Sequence, residues 1–447
     1  MSLSKIIRDD KVWAIAKESW ALSWPLSVIM LYEFLIGITD VYVAGKFGKT
    51  AQAAYGFAFQ LYFVFILIGI ALSVGVVSVI SRLYTSEKKE AFSSAVNSSV
   101  ILVSVCGIIF GLAGLLFSKD IINVINLPTE VKSVIPPLIR TYSLAFLFDY
   151  ILMTTNGIMR SCGMVKRSLL VMTIVCLLNI PLNFILAFST PLGLNGIAVA
   201  TVISIAVGAG LSIYYIKGIV TGFKFSLALI KNILSISWPS GLLQAFWQIG
   251  AIVLFLIIGL LPRNNIEIMA ALTNGLKIES AIFLPVFAFS MANAVIVGNL
   301  MGKKQAHDTF RAGLITSVMG VAITVVLTLI IMLNAHRIAG FLSDNGVVVS
   351  ESVNYIYIAL ISEPIMAWGV ILGGGLSGSG DTVSVMLITA LTLWLIRIPL
   401  GYILGVYFGL GPVAIWWSMN LSVSIQAILI TRHYFKKSWI SKVEILP

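Results

Sequence analysis

An all-α membrane protein, with twelve transmembrane helices in two six-helix bundles, is the fold that three features of the sequence predict. The chain is 59% hydrophobic and only 11% charged. Long apolar runs recur along it, separated by short polar segments. The second half also repeats landmarks of the first.

Soluble domains carry about 25% charged residues. A larger core does not remove that need, because a surface facing water stays polar. A mean hydropathy of +1.02 over 447 residues therefore makes lipid the solvent for much of the surface. A spanning helix needs about 20 apolar residues. Runs long enough fall at 19–44, 51–81, 94–117, 133–159, 168–189, 194–217, 232–261, 267–299, 309–334, 351–377, 383–408 and 411–434. Pro25, Pro136, Pro181, Pro239, Pro285, Pro364 and Pro399 lie inside or at the starts of these spans. Each frees a backbone carbonyl, so helix breaks are expected there.

Basic residues set the orientation. With the N-terminus inside, 20 Lys and Arg fall on the inner side, among them Lys5, Arg8 and Lys442. The outer side then holds 6: Lys46, Lys49, Lys119, Lys132, Arg263 and Arg337. Arg140, Lys277 and Arg397 fall within spans. This asymmetry predicts a multi-pass protein of the inner (plasma) membrane with both termini cytoplasmic. The net charge of +11 thus reads as topology, and nucleic-acid binding is not expected. Lys5, Arg8, Asp9, Asp10 and Lys11 precede span 1 without the short apolar region and cleavage site of a signal peptide, so span 1 should be retained. Cys106, Cys162 and Cys176 are odd in number and read as small hydrophobes, not a disulfide framework. His307, His336 and His433 sit near span ends without metal-ligand spacing.

Three anchors carry the internal repeat. Ser23-Trp24-Pro25 recurs as Ser237-Trp238-Pro239, and Asn179-Ile180-Pro181-Leu182-Asn183 recurs in pattern as Arg397-Ile398-Pro399-Leu400-Gly401. Gly193-Leu194-Asn195-Gly196 recurs as Gly409-Leu410-Gly411-Pro412. The halves are then an N-terminal lobe at 1–219, a cytoplasmic linker at 220–231 and a C-terminal lobe at 232–447. Six spans is an even number, so both halves enter the membrane from the same side. The repeat is therefore parallel, with its pseudo-two-fold axis along the membrane normal.

Ionisable residues inside spans cost several kcal/mol each and mark function. Here they are Glu33, Asp40, Arg140, Asp149, Lys277, Glu279, Glu363 and Arg397. Glu33 and Asp40 are two helical turns apart and share a face. Asn179 and Asn183 form an i,i+4 pair on span 5, with Pro181 between them. A carboxylate beside side-chain carbonyls either holds a proton or joins oxygens around Na⁺. Its alternative role is to be satisfied by Lys or Arg and simply to join helices. Gln244 and Gln248 are spaced alike on span 7, flanking Trp247. With Gln60, Glu33, Lys277, Glu279 and Glu363 they are the candidate lining of a substrate cleft.

Other functions lack their residues. The glycine-rich Gly373–Thr382 segment lacks the Gly-Lys-Ser/Thr of a nucleotide-binding loop and follows a spanning helix, so close helix packing and a short turn explain it. There is no ATPase domain, nucleophilic triad or filter-like loop, and an enzyme or channel is not expected.

Read in order, several segments resemble the multidrug and toxic compound extrusion (MATE) family over nearly the whole chain. They are Ser23-Trp24-Pro25-Leu26, Gly37-Ile38-Thr39-Asp40-Val41-Tyr42-Val43-Ala44-Gly45, Ala53-Ala54-Tyr55-Gly56, Ser81-Arg82-Leu83, Leu276-Lys277-Ile278-Glu279-Ser280 with Pro285, and Gly378-Ser379-Gly380-Asp381-Thr382. The span 8 segment is similar to the DinF-like branch. The resemblance implies an antiporter that exports cationic, amphipathic organic compounds in exchange for H⁺ or Na⁺, with no other cofactor. Its cation site maps onto Asp40, Asn179 and Thr201. A further position, acidic in some DinF-like members, is Asn183 here, so Na⁺ would sit among Asp40, Asn179, Asn183 and Thr201. The NorM-like branch has a Glu in span 7 and an Asp in span 10. Here Gln244 or Gln248, and Met366, stand near those positions, so that branch's C-half cation site is expected to be absent, although Glu363 lies one turn from Met366. A small organic substrate and the bilayer are the expected partners, and a monomer the expected state. The alternative is a lipid-linked oligosaccharide flippase of the same superfamily. It would require Arg140, Lys277 and Arg397 to face one cleft.

The charge asymmetry is checked with reporters fused at each end. A cytoplasm-active reporter is expected to work at both, and a reporter active only after export should be silent.

Overall fold

The computed structural model describes residues 10–86, 88–124 and 129–441. Lys5, Arg8, Asp9 and Lys442, used in the orientation argument, lie outside the described residues. The described chain is helical, in twelve long spans. The first nine are α1 (Asp10–Gly45), α2 (Lys49–Tyr84), α3 (Lys89–Val124), α4 (Thr129–Ser161), α5 (Val165–Phe188), α6 (Asn195–Lys217), α7 (Leu227–Gly259), α8 (Asn265–Gly302) and α9 (Ala306–Leu333). A short helix, α10 (Ala335–Leu342), follows. The tenth span is α11 (Gly346–Ala359), a 3-10 turn at Leu360–Ser362, and α12 (Glu363–Ser379). The eleventh is α13 (Thr382–Thr392), then α14 (Ile398–Tyr402) between π-helical turns at Leu393–Arg397 and Ile403–Tyr407. The twelfth is α15 (Pro412–Phe435), and the short α16 (Ser438–Ser441) closes the described chain.

Eleven spans among the described residues are long and apolar enough to cross a membrane. The span missing from that set is α4, 33 residues long, which carries Glu130, Lys132, Arg140, Asp149 and Arg160. Its charges lower its hydropathy without shortening it. Most helices also outrun their apolar cores: α1 has 36 residues, roughly 54 Å at 1.5 Å per residue. Charged interfacial residues support helix as well as apolar ones do.

The prolines act less uniformly than expected. Pro25, Pro136, Pro181, Pro239 and Pro285 lie inside continuous helices. Neighbouring helices and local adjustment satisfy the freed carbonyls in such segments. The helical geometry changes only around Pro364, just after the 3-10 turn, and Pro399, between the π turns. Cys106, Cys162 and Cys176 are free thiols.

Packing divides the chain into two compact units. The first holds Val28–Gly241, and the second joins Met1–Ser27 to Leu242–Pro447. Both cuts fall two residues beyond a repeat-related proline, Pro25 or Pro239. The first half of α1 therefore belongs to the second unit. There the Ser19 and Thr316 hydroxyls are 2.7 Å apart, and Trp20 meets Phe289 at 6.4 Å. The segment 220–231 and the first half of α7 belong to the first unit. In it, Ser98 Oγ accepts from the Ser226 N–H at 2.9 Å, Asn97 donates to the Gly222 carbonyl, and Lys224 pairs with Glu90 at 2.8 Å. That exposed pair holds the Glu90 carboxyl below its usual range, although exposed pairs contribute little to stability.

The two units share one pattern of neighbours. In the first, α4 packs on α2, α3 and α6, and α5 packs on α6. In the second, the tenth span packs on α8, α9 and α15, and the eleventh packs on α15. Glycines permit the closest approach on α12. A Cβ at Gly374 would strike the Ser290 carbonyl, and one at Gly378 the Ala294 backbone, whereas one at Gly373 would meet only Val385, at 3.5 Å. Gly378→Ala and Gly374→Ala are therefore expected to cost about 1–3 kcal/mol by overpacking and to lower the thermal midpoint. Gly373→Ala should hold or raise it, since Ala is the better helix former.

Candidate functional site

The polar heart of the first unit joins four helices. Asp40, near the end of α1, is 2% exposed. Asn183 on α5 donates from Nδ2 to Asp40 Oδ1 at 2.6 Å, and Tyr55 on α2 donates to Oδ2 at 3.2 Å. The same Asn183 nitrogen donates to Asn179 Oδ1 at 2.8 Å. Asn179 Nδ2 donates to Ser204 Oγ on α6 at 3.2 Å, and Ser204 in turn donates to the Ala200 carbonyl. The i,i+4 spacing of the two asparagines allows this chain, since it stacks their amides on one face of α5.

Asp40 thus meets neutral donors, and no Lys or Arg forms an ion pair with it among the described residues. Neutral donors stabilise a carboxylate without cancelling its charge. A buried charge that lacks an opposite charge is costly. The complement is a proton or a monovalent cation. Asn183 Oδ1 is a buried oxygen without a donor, so a hard cation would find it beside the carboxylate. With Asn179 Oδ1 and the Asp40 carboxylate it is an oxygen donor of the kind a hard cation such as Na⁺ takes. No cluster of three or more His, Cys, Asp or Glu suited to other metals occurs among the described residues.

Sequence reasoning named Asp40, Asn179 and Asn183, which the structure brings together. Thr201, buried on α6, donates back to the Ile197 carbonyl at 3.1 Å, and it is Ser204, one turn on, that meets Asn179. Ser204 and Tyr55 were missed. Ser204 carries no signal beyond its place on the face of Thr201, and Tyr55 is recruited from another helix. Glu33 is exposed, although its face of α1 buries Asp40 two turns on. Its electrostatic partners are the buried Arg160 and Asp149 on α4, and Asp149 also accepts from the Tyr62 hydroxyl. Gln60 is exposed on α2.

The remaining candidates lie in the second unit. Glu279 on α8 and Glu363 at the start of α12 are both buried. Tyr355 on α11 donates to Glu279 Oε1 at 2.7 Å, while Glu363 Oε2 has no hydrogen-bond partner. Arg397, also buried, donates from Nε to Ser422 on α15 at 2.9 Å and lies 5.1 Å from the centre of the Trp247 ring. Lys277 is exposed, two residues and so more than half a turn of helix from Glu279. Gln244 and Gln248 are half-buried on α7. The three basic residues a flippase would need do not share one setting. Arg140 is exposed and bonded to Ser118, Lys277 is exposed, and Arg397 is buried with carboxylates. The flippase reading is not favoured.

Removing the amide of Asn183 should expose the dependence of Asp40 on it. Asn183→Ala is expected to cost about 1–3 kcal/mol, the penalty of an unsatisfied buried group. Combining it with Asp40→Asn should cost less than the sum of the single changes. A double-mutant cycle on thermal unfolding measures this, and strict additivity would mean that the contact carries no energy.

Comparison with known proteins gives one family. The MatE family matches the chain twice, over residues 25–185 and again over 239–403. The two matches begin at the repeat-related prolines of α1 and α7. The chain is 26% identical to a probable multidrug resistance protein NorM of Thermotoga maritima, covering 96% of this chain and 94% of that protein. It is 23% identical to the multidrug resistance protein NorM of Vibrio cholerae, with 94% of each covered. Among solved structures, a MOP superfamily transporter from Pyrococcus furiosus superposes with a TM-score of 0.88 at 20% identity, covering 96% of this chain and 97% of that one. A multidrug resistance MATE family transporter in an outward-facing conformation does so equally, also at 0.88, 20%, 96% and 97%. At such identities the structures share the fold.

Proposed function

The chain belongs to the MatE family of membrane transporters, and from that premise we propose that it exports cationic, amphipathic organic compounds by antiport, with Asp40 as the carboxylate that takes up the coupling ion. It is a transporter and not an enzyme. The observation that carries the assignment of Asp40 is its confinement with neutral donors. A carboxylate fixed against an arginine would have no charge left to trade. This one is free to exchange a proton or Na⁺, since Tyr55 and Asn183 stabilise its ionised state without supplying a competing cation.

In the ionised form, Asp40 accepts from Asn183 and Tyr55 as observed. Binding a proton or Na⁺ removes its negative charge and with it the reason for both donors to point at the carboxyl. The hydrogen-bond chain through Asn183, Asn179 and Ser204 then rearranges, and helices α1, α2, α5 and α6 feel the change together. Alternating access requires that ion uptake favour one arrangement of this site and ion release the other, because a ligand shifts an equilibrium only by its differential affinity. The ion is the sole cofactor. The protein acts as a monomer in the plasma membrane with both termini in the cytoplasm, and the names of its relatives, multidrug resistance proteins, support multidrug substrates. Gln244 and Gln248 on one face of α7 offer two amides to an organic substrate, while the Trp247 ring beside them lies against Arg397.

Asp40→Asn keeps a hydrogen-bonding side chain of the same shape and removes the ion site. It is expected to preserve expression and thermal stability while abolishing efflux driven by an imposed gradient in proteoliposomes. Na⁺ and pH gradients applied separately identify the ion. Efflux at the original rate from the Asn variant would remove Asp40 from the mechanism.

A further inference from the structure

The two units carry the same hydrogen bond with different chemistry. In the first, Asn179 donates to Ser204, 25 residues downstream. In the second, Arg397 donates to Ser422, again 25 residues downstream. Donor and acceptor are each displaced by the 218 residues that separate Pro181 from Pro399. Arg397 therefore stands in its unit where Asn179 stands in the other, next to the site at which Asp40 awaits an ion.

We propose that Arg397 is a built-in cation. With one proton shared between the buried Glu279 and Glu363 carboxyls, it balances the one negative charge left on the pair, so that the pair needs no exchangeable ion, and its removal would open a binding site for a small monovalent cation.

The surroundings support this charge role. Glu279 and Glu363 are buried, and the one neutral side-chain donor on them among the described residues is Tyr355, bonded to Glu279. The carboxyl of Glu363 keeps one oxygen without a partner. Both acids and Arg397 converge on α15. Ser362, next to Glu363, meets Asn420 at 2.9 Å, and the Tyr355 ring that serves Glu279 packs 4.7 Å from Trp416. Arg397 is bonded to Ser418 and Ser422, which brings its charge within electrostatic reach of both carboxyls without a direct ion pair among the described residues. Its position is fixed independently of them. Nε is held by Ser422, the guanidinium lies over Trp247, and the Arg397 carbonyl accepts from Ser418 at 3.3 Å. Arginine suits the position because its planar head stacks on an aromatic ring and keeps its charge when buried. Lys277, the nearest other cation in sequence, is exposed and cannot take over.

The test uses full-length protein carrying Asp40→Asn, so that the first unit contributes no ion site and the result does not depend on the role proposed for Asp40. Thermal midpoints are measured in millimolar Na⁺ or guanidinium chloride, with N-methylglucamine chloride as the ionic-strength control. The parent and Arg397→Lys should be indifferent to the cation. Arg397→Asn, which installs the residue of the other unit, should melt several degrees lower and recover as Na⁺ or guanidinium rises, but not with the bulky control. Adding Glu363→Gln leaves Glu279 as the one carboxyl, neutral with the proton the pair shared, and should restore the midpoint and remove the cation dependence. An Arg397→Asn protein as stable as its parent would overturn the proposal. So would a deficit that persists in every cation and in the Glu363→Gln combination, since Arg397 would then act only by packing on Trp247 and bonding Ser422. If Arg397→Asn alone fails to accumulate in the membrane, recovery by Glu363→Gln supports the proposal, and failure of both proteins overturns it.

Discussion

A carboxylate taken out of water and given only neutral company is the constraint on which the rest of this protein turns. Asp40 on α1 is buried and met by Tyr55 and Asn183. Charge in such a place is tolerated only while something nearby answers it. A Lys or Arg would answer it permanently and make the residue structural. Amides and a phenol answer it partially and leave the balance to a mobile ion. On the antiport reading, the four helices that carry Asp40, Tyr55, the two asparagines and Ser204 are thereby tied to the occupancy of one oxygen pair, and the hydrogen bonds between them are the wiring.

The same scaffold is used twice. In each unit the fourth span packs on the second, third and sixth, counted within its own half, and a side chain on the fifth span donates to a serine on the sixth. What differs is the chemistry placed on it. On the readings proposed above, an amide at the fifth-span position makes a site that imports its cation, whereas a guanidinium makes one that owns it. A duplicated fold thus supports unlike halves when the fifth-span residue and the neighbouring acids differ together.

Much of this was legible in the sequence, for identifiable reasons. Spans show because apolar runs of bilayer length have no other economical use in so uncharged a chain. The repeat shows because Pro25 and Pro239 are rare residues in a helical context. Asp40 shows because a lone acid beside a glycine-ended span is costly wherever it falls. Contacts between helices do not show. Nothing local marks Tyr55 as a partner of Asp40, and nothing distinguishes Ser204 from the many serines that bond their own helix. The division of the chain by packing was also hidden: α1 and α7 each change units just beyond a proline while remaining unbroken helices, which no composition boundary records. Charge misleads in one place. The charged residues of α4, the span that packs on three others in its unit, keep it out of the set apolar enough to cross a membrane.

Asn183 sets the arithmetic of exchange. With an acid at that position the site would hold two negative charges; with an amide it holds one, so a single monovalent ion completes it. On the antiport reading, one H⁺ or Na⁺ then enters per turnover at this site. For an uncharged substrate that ion carries the full driving force, about 2.3 kcal/mol for each 100 mV and about 1.4 kcal/mol for each pH unit. For a monocation the exchange is electroneutral, the membrane potential drops out, and one pH unit sustains only about a tenfold gradient. A transporter with this site alone would therefore expel uncharged amphipaths against steeper gradients than monocations. The fixed charge of Arg397 reinforces that limit, because it closes the second acidic cluster to a second driving ion.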